Sequence, residues 1–339
     1  MVKMEGLVIK KILILLIVIS ALIIVGGCQQ QESPMEDSIS LSKLNDFYVG
    51  KPQTSQSLIH AYIPANSDKM PVIMLPGLGL GADIYKSTPD GRNGWVYDFV
   101  KAGYPVYTVD TSDLVSSGLS EEKANNSLKK WNSQMIWQRW GLGKGPNRPY
   151  PNGQFPTESF EQFYASIPRR VTATKSNSTR AKTSDRKKGR EEAGSMGANQ
   201  QEVDNLIQLL EKTGPSIIVV HSMGGTTGYE VARQRPDLVQ GIVAIEPVGS
   251  PTDKEGIEEV FAKMPYLGVY GDYLEARNQT GRLKDVEKTV ELINQYDGEA
   301  ELIRLTEEGI SGNSHLMMID KNNHQIAKLI IDWLNKKVE

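Results

Sequence analysis

The chain has 339 residues, 39% of them hydrophobic, and a formal net charge of −3. Such a chain can form one large globular domain or two small ones, and its near-neutral charge argues against a nucleic-acid partner. There is one cysteine and there are four histidines, without the Cys/His clusters that bind zinc or carry redox chemistry. We therefore expect neither a metal site nor a cofactor.

The N-terminus has the features of an export signal. Three lysines precede an uncharged apolar run from Ile12 to Val25, which is followed by two glycines and Cys28. The run is short for a membrane-spanning helix and typical of a secretory signal. The ending Val-Gly-Gly-Cys resembles a bacterial lipobox, so we expect a signal peptide at 1–27 and a tether and N-terminal arm at 28–56. Cys28 is expected to be lipidated and to anchor the protein at the extracytoplasmic side of a membrane. An uncleaved signal anchor and a plain signal peptide remain as alternatives.

From residue 57 onward, strand and helix patterns alternate, which predicts one α/β domain over 57–339 with a mostly parallel sheet flanked by helices. The first strand, at 58–65, is expected at an edge of the sheet. Further strands are expected at 71–77, 105–110, 216–220, 241–247, 266–272 and 300–307, and helices at 94–103, 199–214, 226–236, 283–296 and 323–337.

The alternation fails at about 111–198, which we interpret as a cap-like insertion. Its tryptophans, Trp131, Trp137 and Trp140, are expected to pack the insertion onto the body of the domain, with substrate contact as an alternative. The segment 169–195 is basic and almost without large apolar residues, which favours a mobile surface loop. Attraction to anionic lipid headgroups is a second interpretation of that segment.

Ser222 is the candidate nucleophile. It stands between a short β-branched run, Ser216 to Val220, and a glycine pair that opens a helical pattern. A strand that turns directly into a helix over one serine holds that side chain exposed and strained, and needs small neighbours. Val220 departs from this pattern, which has a glycine two residues before the serine. The competing interpretation of Ser222 is a helix N-cap.

A serine nucleophile needs a histidine base and an acid that orients the base. His315 is the candidate base because it lies in a polar loop between the last strand and the last helix. The other three histidines are expected to be structural or solvent-exposed. Two acids compete: Asp272 follows a later strand, and Glu246 ends the strand after the serine, where an unpaired carboxylate would be costly.

Four segments carry a resemblance to a known family: Thr88 to Trp95, His-Ser-Met-Gly-Gly around Ser222, Ile-Glu-Pro around Glu246, and Gly312 to Asn323. Together they resemble secreted bacterial esterases of the α/β-hydrolase superfamily, over roughly residues 58–334. The resemblance implies the α/β-hydrolase fold and a triad of Ser222, Glu246 and His315. It does not extend to the basic segment.

Two backbone N–H groups are expected to stabilise the oxyanion of a tetrahedral intermediate. We assign them to Met223, directly after the serine, and to Leu78 in the glycine-rich loop 76–81. The sequence thus predicts a membrane-anchored serine esterase that forms an acyl-enzyme from a small ester substrate. An acyltransferase or thioesterase with the same triad and a non-catalytic binding lipoprotein are the alternatives.

Overall fold

A computed structural model describes residues 38–146, 148–171 and 198–338 of the protein. The expected signal peptide and Cys28 lie outside the described residues, as does the part of the basic segment after Val171.

The core of the fold is an eight-stranded sheet in the spatial order β1-β2-β4-β3-β5-β6-β7-β8. β1 and β2 pair antiparallel, as do β2 and β4, and every other pair is parallel. The strands are β1 Leu41–Val49, β2 Ser57–Pro64, β3 Val72–Leu75, β4 Val106–Asp110, β5 Ser216–His221, β6 Val239–Ile245, β7 Tyr266–Tyr270 and β8 Ala300–Arg304.

Apolar side chains alternate between the two faces of the central strands and form a hydrophobic cluster on each face. Val72 and Met74 belong to one cluster, and Ile73 and Leu75 belong to the other. Every residue of β5 is buried, as expected for a parallel strand covered on both faces. The predicted α/β fold is thereby confirmed.

The expected edge position of the strand near residue 58 is wrong. β1 pairs with β2 on its outer side, so the sheet begins at Leu41, inside the segment expected to be an arm. From Leu44 onward, exposed and less exposed side chains alternate along β1, and the apolar Leu44 and Tyr48 are on the exposed side, with 67% and 51% of their surface exposed. Because apolar residues occupy the solvent face, the period-2 pattern of this strand is obscured in the sequence.

Helices cover both faces of the sheet. The last helix, Asn323–Lys337, buries Ile326, Ile330 and Leu334 at a helical spacing against the cluster that includes Phe99. The helices are α1 Asp83–Lys86, α2 Trp95–Lys101, α3 Glu121–Ala124, α4 Ser133–Arg139, α5 Phe160–Ser166, α6 Gln200–Thr213, α7 Gly224–Gln234, α8 Lys254–Glu259, α9 Thr280–Gln295 and α10 Asn323–Lys337, with 3-10 turns at Thr157–Ser159 and Phe261–Lys263. Within the three described ranges, no helix is both long enough and apolar enough to cross a membrane.

The insertion between β4 and α6 packs closely on the domain. It contains α3, α4, α5 and two small antiparallel ribbons, 128–129 with 170–171 and 143–145 with 148–149. Trp137 and Trp140 are buried in the main hydrophobic cluster with the phenylalanines of α5. These two tryptophans therefore pack the insertion onto the body, as expected.

Candidate active site

Ser222 occupies the sharp turn between β5 and α7. Its φ is +50°, a left-handed conformation that non-glycine residues rarely adopt. The turn is fixed from the next strand, since the Ser222 amide donates to the Ile245 carbonyl (3.1 Å) and the Val248 amide donates to the Ser222 carbonyl (2.8 Å). The Ser222 side chain is thus held at the carboxyl ends of β5 and β6 and is partly exposed.

The glycine pair after the serine has a steric role. A Cβ at Gly224 would lie 2.9 Å from the carbonyl oxygens of both Leu75 and Pro76. A Cβ at Gly225 would lie 2.6 Å from the carbonyl oxygen of Val248. Both distances are shorter than real side chains tolerate, so the start of α7 can pass between these backbones only without side chains.

Val220 is accommodated by a third glycine of α7, Gly228. The Val220 side chain is fully buried, and a Cβ at Gly228 of α7 would overlap its Cγ1 atom. In the usual turn, a glycine two residues before the serine leaves space between strand and helix. Here Gly228, on the helix side of the contact, leaves that space instead. This pairing explains how the turn forms despite the branched side chain.

Glu246 and His315 are hydrogen-bonded to each other. The Nδ1 atom of His315 lies 2.5 Å from Oε2 of Glu246, and both side chains are buried. Glu246 follows β6 directly and has a φ of +41°. With Nδ1 held by the carboxylate, Nε2 is the ring nitrogen that can exchange a proton with a substrate or a nucleophile.

Asp272 follows β7 and contacts the loop that carries the histidine. Its carboxylate accepts the backbone N–H groups of Gly312 (2.5 Å) and Asn313 (3.2 Å). The structure therefore brings Glu246 to the imidazole of His315, and Asp272 to the backbone a few residues before it.

Arg277 also belongs to this site, although no local sequence pattern predicts it. Its guanidinium binds Glu246 through both oxygens, with Nη1–Oε2 at 2.5 Å and Nη2–Oε1 at 2.8 Å. The Gly271 amide also donates to Oε1, at 3.0 Å. The one available signal was the cost of an unpaired carboxylate at the end of an apolar strand. That cost predicts a partner for Glu246 but does not identify the partner as Arg277.

The charge states follow from these contacts. Burial raises the pKa of Glu246, but the charge of Arg277 and the hydrogen bonds from His315 and Arg277 outweigh it and hold that pKa well below its usual range. Burial lowers the pKa of His315 below its usual range, and the contact with Glu246 only partly offsets this. The resting site thus combines an ionised Glu246 with a neutral His315.

His221 joins the serine turn to the histidine loop. Its Nε2 lies 2.9 Å from the carbonyl oxygen of His315, and the two imidazole rings are 4.5 Å apart between centroids. Burial and the neighbouring His315 hold the pKa of His221 well below its usual range, so the ring is neutral and donates through Nε2. Ser222 is the next residue, and its turn is therefore attached to the loop of the candidate base.

A buried carboxylate shapes the histidine loop. Asp320 accepts hydrogen bonds from the Ser314 amide (2.8 Å), the Ser314 hydroxyl (2.7 Å) and the Asn313 side-chain amide (3.0 Å). Burial raises the pKa of Asp320 to about 7. The His315 amide donates to the Trp140 carbonyl at 2.8 Å, so the insertion also holds this loop.

The segment Thr88–Trp95 supports the far end of that loop. Arg92 donates through Nη1 to the Asn323 side chain (2.7 Å) and to the carbonyls of Asp320 and Lys321 (both 3.2 Å). The Trp95 indole donates to the Asn323 carbonyl at 3.0 Å. Two of the four segments that carry the resemblance, Thr88 to Trp95 and Gly312 to Asn323, are thus in direct contact.

The glycine-rich loop after β3 lies beside the serine turn. A Cβ at Gly77 would be 2.9 Å from Cβ of Ser222. The amides of Leu78 and Met223 donate no backbone hydrogen bond to any described residue. The Trp131 indole donates to the Leu78 carbonyl at 2.8 Å and fixes the loop from the insertion.

The remaining histidines serve other contacts. His60 pairs with Asp46, with 2.8 Å between Nδ1 and Oδ1, and His324 pairs with Asp98 at 2.8 Å on the surface. Across the described ranges, no group of three or more His, Cys, Asp or Glu side chains is arranged to hold a metal ion.

Comparison with known proteins agrees with this architecture. The sequence matches the α/β hydrolase fold family over residues 70–323, and the chain belongs to that family. A probable secreted lipase, phiG, from a fungus (Fungal sp. strain ATCC 74256) is 26% identical over 381 residues, which covers 90% of this chain and 93% of that protein. The atomic-resolution structure of a bacterial esterase is similar with a TM-score of 0.76 and 24% identity, covering 89% of this chain and 98% of that one.

Proposed function

We propose that the protein is a serine carboxylic-ester hydrolase with Ser222 as nucleophile, His315 as base and Glu246 as the acid. The observation that carries the proposal is the 2.5 Å contact between His315 Nδ1 and Glu246 Oε2, together with the left-handed conformation of Ser222 at the end of the neighbouring strand. A carboxylate at Nδ1 keeps an imidazole oriented while its Nε2 accepts the proton of a serine hydroxyl. The relatives named as a lipase and an esterase support the choice of an ester substrate.

Acylation uses groups that the site already holds. The Ser222 hydroxyl oxygen attacks the ester carbonyl carbon while His315 Nε2 takes its proton, which gives a tetrahedral intermediate. The amides of Leu78 and Met223 donate to its oxyanion. When the intermediate collapses, the ester C–O bond breaks and His315 returns the proton to the departing alcohol, leaving the acyl group on Ser222.

Deacylation repeats these steps with water. His315 takes a proton from a water molecule as its oxygen attacks the acyl carbon. The bond from that carbon to the Ser222 oxygen then breaks, the carboxylic acid leaves, and His315 returns its proton to Ser222. These steps require no cofactor.

Labelling and hydrolysis would test this assignment. We expect a fluorophosphonate probe to label the wild type, forming a bond from phosphorus to the Ser222 oxygen with loss of fluoride, and Ser222→Ala to escape labelling. Hydrolysis of p-nitrophenyl esters of varied chain length should fall by about three powers of ten or more in that variant. Ser67→Ala, an exposed serine, is the matched control and should behave as the wild type. An unlabelled but folded wild-type protein would instead favour a binding lipoprotein, and acyl transfer in preference to hydrolysis would favour an acyltransferase.

We also propose that the enzyme works outside the cytoplasm, attached to a membrane through lipidated Cys28. The apolar run at 12–25 followed by Val-Gly-Gly-Cys supports export and lipidation, and the secreted relative is consistent with export. The several acyl chains of a lipoprotein would hold the protein firmly at the membrane surface.

Replacing the cysteine tests the anchor. In a bacterial host that processes lipoproteins, the wild type should fractionate with membranes, and Cys28→Ser should move most of the protein to the soluble fraction, because the acyl chains are lost. Immunoblots of the two fractions and metabolic labelling with palmitate would show this. An unchanged distribution of Cys28→Ser would exclude the lipid anchor.

A further inference from the structure

The carboxylate of Glu246 is held from several directions, and His315 is only one of its partners. Oε1 accepts from the Gly271 amide (3.0 Å) and from Arg277 Nη2 (2.8 Å). Oε2 accepts from Arg277 Nη1 (2.5 Å) and faces His315 Nδ1 (2.5 Å). A bidentate arginine fixes both the position and the rotation of a carboxylate, so Arg277 determines which oxygen meets the imidazole.

Arg277 is itself built into the fold. Its side chain is completely buried and donates further to the Asp272 carbonyl (2.8 Å) and to the Gln279 side chain (3.4 Å). A Cβ at Gly141 of the insertion would lie only 3.0 Å from Arg277 Cδ, so that glycine leaves room for the arginine.

A fully buried ion pair is weak evidence for stability. Its desolvation costs about as much as the attraction returns, and well-packed apolar residues often replace such a pair without loss. Stability alone therefore does not explain the pair of Arg277 and Glu246, whereas a role in holding the acid beside His315 does.

The charges around His315 come from several elements. Glu246 after β6 favours the protonated imidazole, whereas Arg277 in the loop after β7 and Arg282 in the first turn of α9 oppose it. His221 at the end of β5 is neutral. On the histidine's own loop, the nearby carboxyl group is that of Asp320, whose hydrogen-bond donors are residues 313 and 314.

We propose that Arg277 is a positioning residue for the triad: its guanidinium clamps Glu246 against His315, and its positive charge adds to burial in opposing protonation of the imidazole. This inference rests on the proposed esterase function and deepens it. His315 must be neutral to accept the Ser222 proton. Activity is therefore lost as pH falls through the value at which His315 becomes protonated, and a nearby cation moves that loss to lower pH.

Two substitutions separate the clamp from the charge. Arg277→Gln removes both, so the acid limb of kcat/KM should move up by about one pH unit and the plateau kcat should fall by roughly tenfold to a hundredfold. Arg277→Lys keeps the charge but cannot form the fork. Its acid limb should stay near that of the wild type while its plateau kcat is still reduced.

Arg235→Gln is the matched control, because Arg235 makes a bidentate contact with Asp237 on the surface and its loss should leave both readouts unchanged. Thermal unfolding would establish that each variant is folded. A reduced kcat with an unmoved acid limb in Arg277→Gln would show a merely structural role and overturn the proposal. If Arg277→Gln does not fold, Arg277→Lys decides: wild-type kcat, or an acid limb that moves upward, would contradict it.

The same measurements separate this inference from the proposed function. Hydrolysis by wild type that does not depend on Ser222 would defeat the esterase assignment. In that case an NMR titration of the His315 ring would still report on the effect of the charge. The His315 pKa in wild type and in Arg277→Lys would be compared with that in Arg277→Gln, and equal values would overturn the inference as well.

Discussion

Ser222 and Glu246 share a backbone feature that is rare in non-glycine residues. Both follow neighbouring parallel strands directly, and both have positive φ values, +50° and +41°. Such conformations cost on the order of 1–3 kcal/mol each and persist where the surrounding structure enforces them. Here the strand ends turn abruptly, and the two side chains leave the sheet at the same edge.

The choice between the two acids can be tested by amide substitutions. Glu246→Gln should lower kcat by about three to four powers of ten, because the amide no longer fixes the tautomer of His315 or stabilises its protonated form. Asp272→Asn weakens hydrogen bonds to the Gly312 and Asn313 amides and should cost about tenfold or less. Steady-state kinetics on folded variants would measure both. Equal losses in the two variants would contradict the assignment of Glu246.

At this scale the sequence was informative about residues whose chemistry requires a local pattern. The strand-to-helix turn indicated Ser222, and the polar loop before the last helix indicated His315. Glu246 could be preferred over Asp272 only through resemblance, since both follow strands. Arg277 could not be predicted, because its pairing with Glu246 joins residues 31 positions apart in the chain and leaves no local signal.

The contact between β5 and α7 shows how one element compensates for another. Val220 is the residue where the sequence departs from the usual turn, and Gly228 provides the missing space. A single sequence does not reveal this pair, because the two positions interact only once the helix has packed on the strand.

Adding a methyl group at Gly228 tests this contact. Gly228→Ala should destabilise the fold by about 1–3 kcal/mol through overlap with Val220, although alanine is the better helix former. The double variant Gly228→Ala/Val220→Ala should recover part of the loss, and chemical denaturation would give the coupling energy.

Gly281→Ala is the control for this prediction. Gly281 lies in α9, with no atom within 4 Å of the added Cβ, so the change should stabilise by up to about 1 kcal/mol. A Gly228→Ala variant as stable as the wild type would show that α7 and β5 are not tightly fitted.

Element boundaries were least predictable where apolar residues face solvent. The buried central strands and the long amphipathic helices lie close to their predicted positions, because their periodicity reflects burial. β1 was missed because Leu44 and Tyr48 point outward. Its inward residues form too short a series to show alternation.

For the whole molecule, the strand-helix alternation was enough to predict the α/β architecture. It was not enough to predict how the insertion is attached. Besides the buried tryptophans, the insertion is attached by hydrogen bonds of backbone amides, backbone carbonyls and an indole N–H, groups whose pairing depends on the final fold.

The insertion is hydrogen-bonded to the candidate active site at two places. The Trp140 carbonyl receives the His315 amide, and the Trp131 indole holds the Leu78 carbonyl. A change in the backbone of this segment is therefore expected to disturb the placement of the candidate base and of a candidate oxyanion donor. In the proposed esterase, transplanting the segment from a relative would change the rate of the reaction together with any contact that the segment makes with substrate.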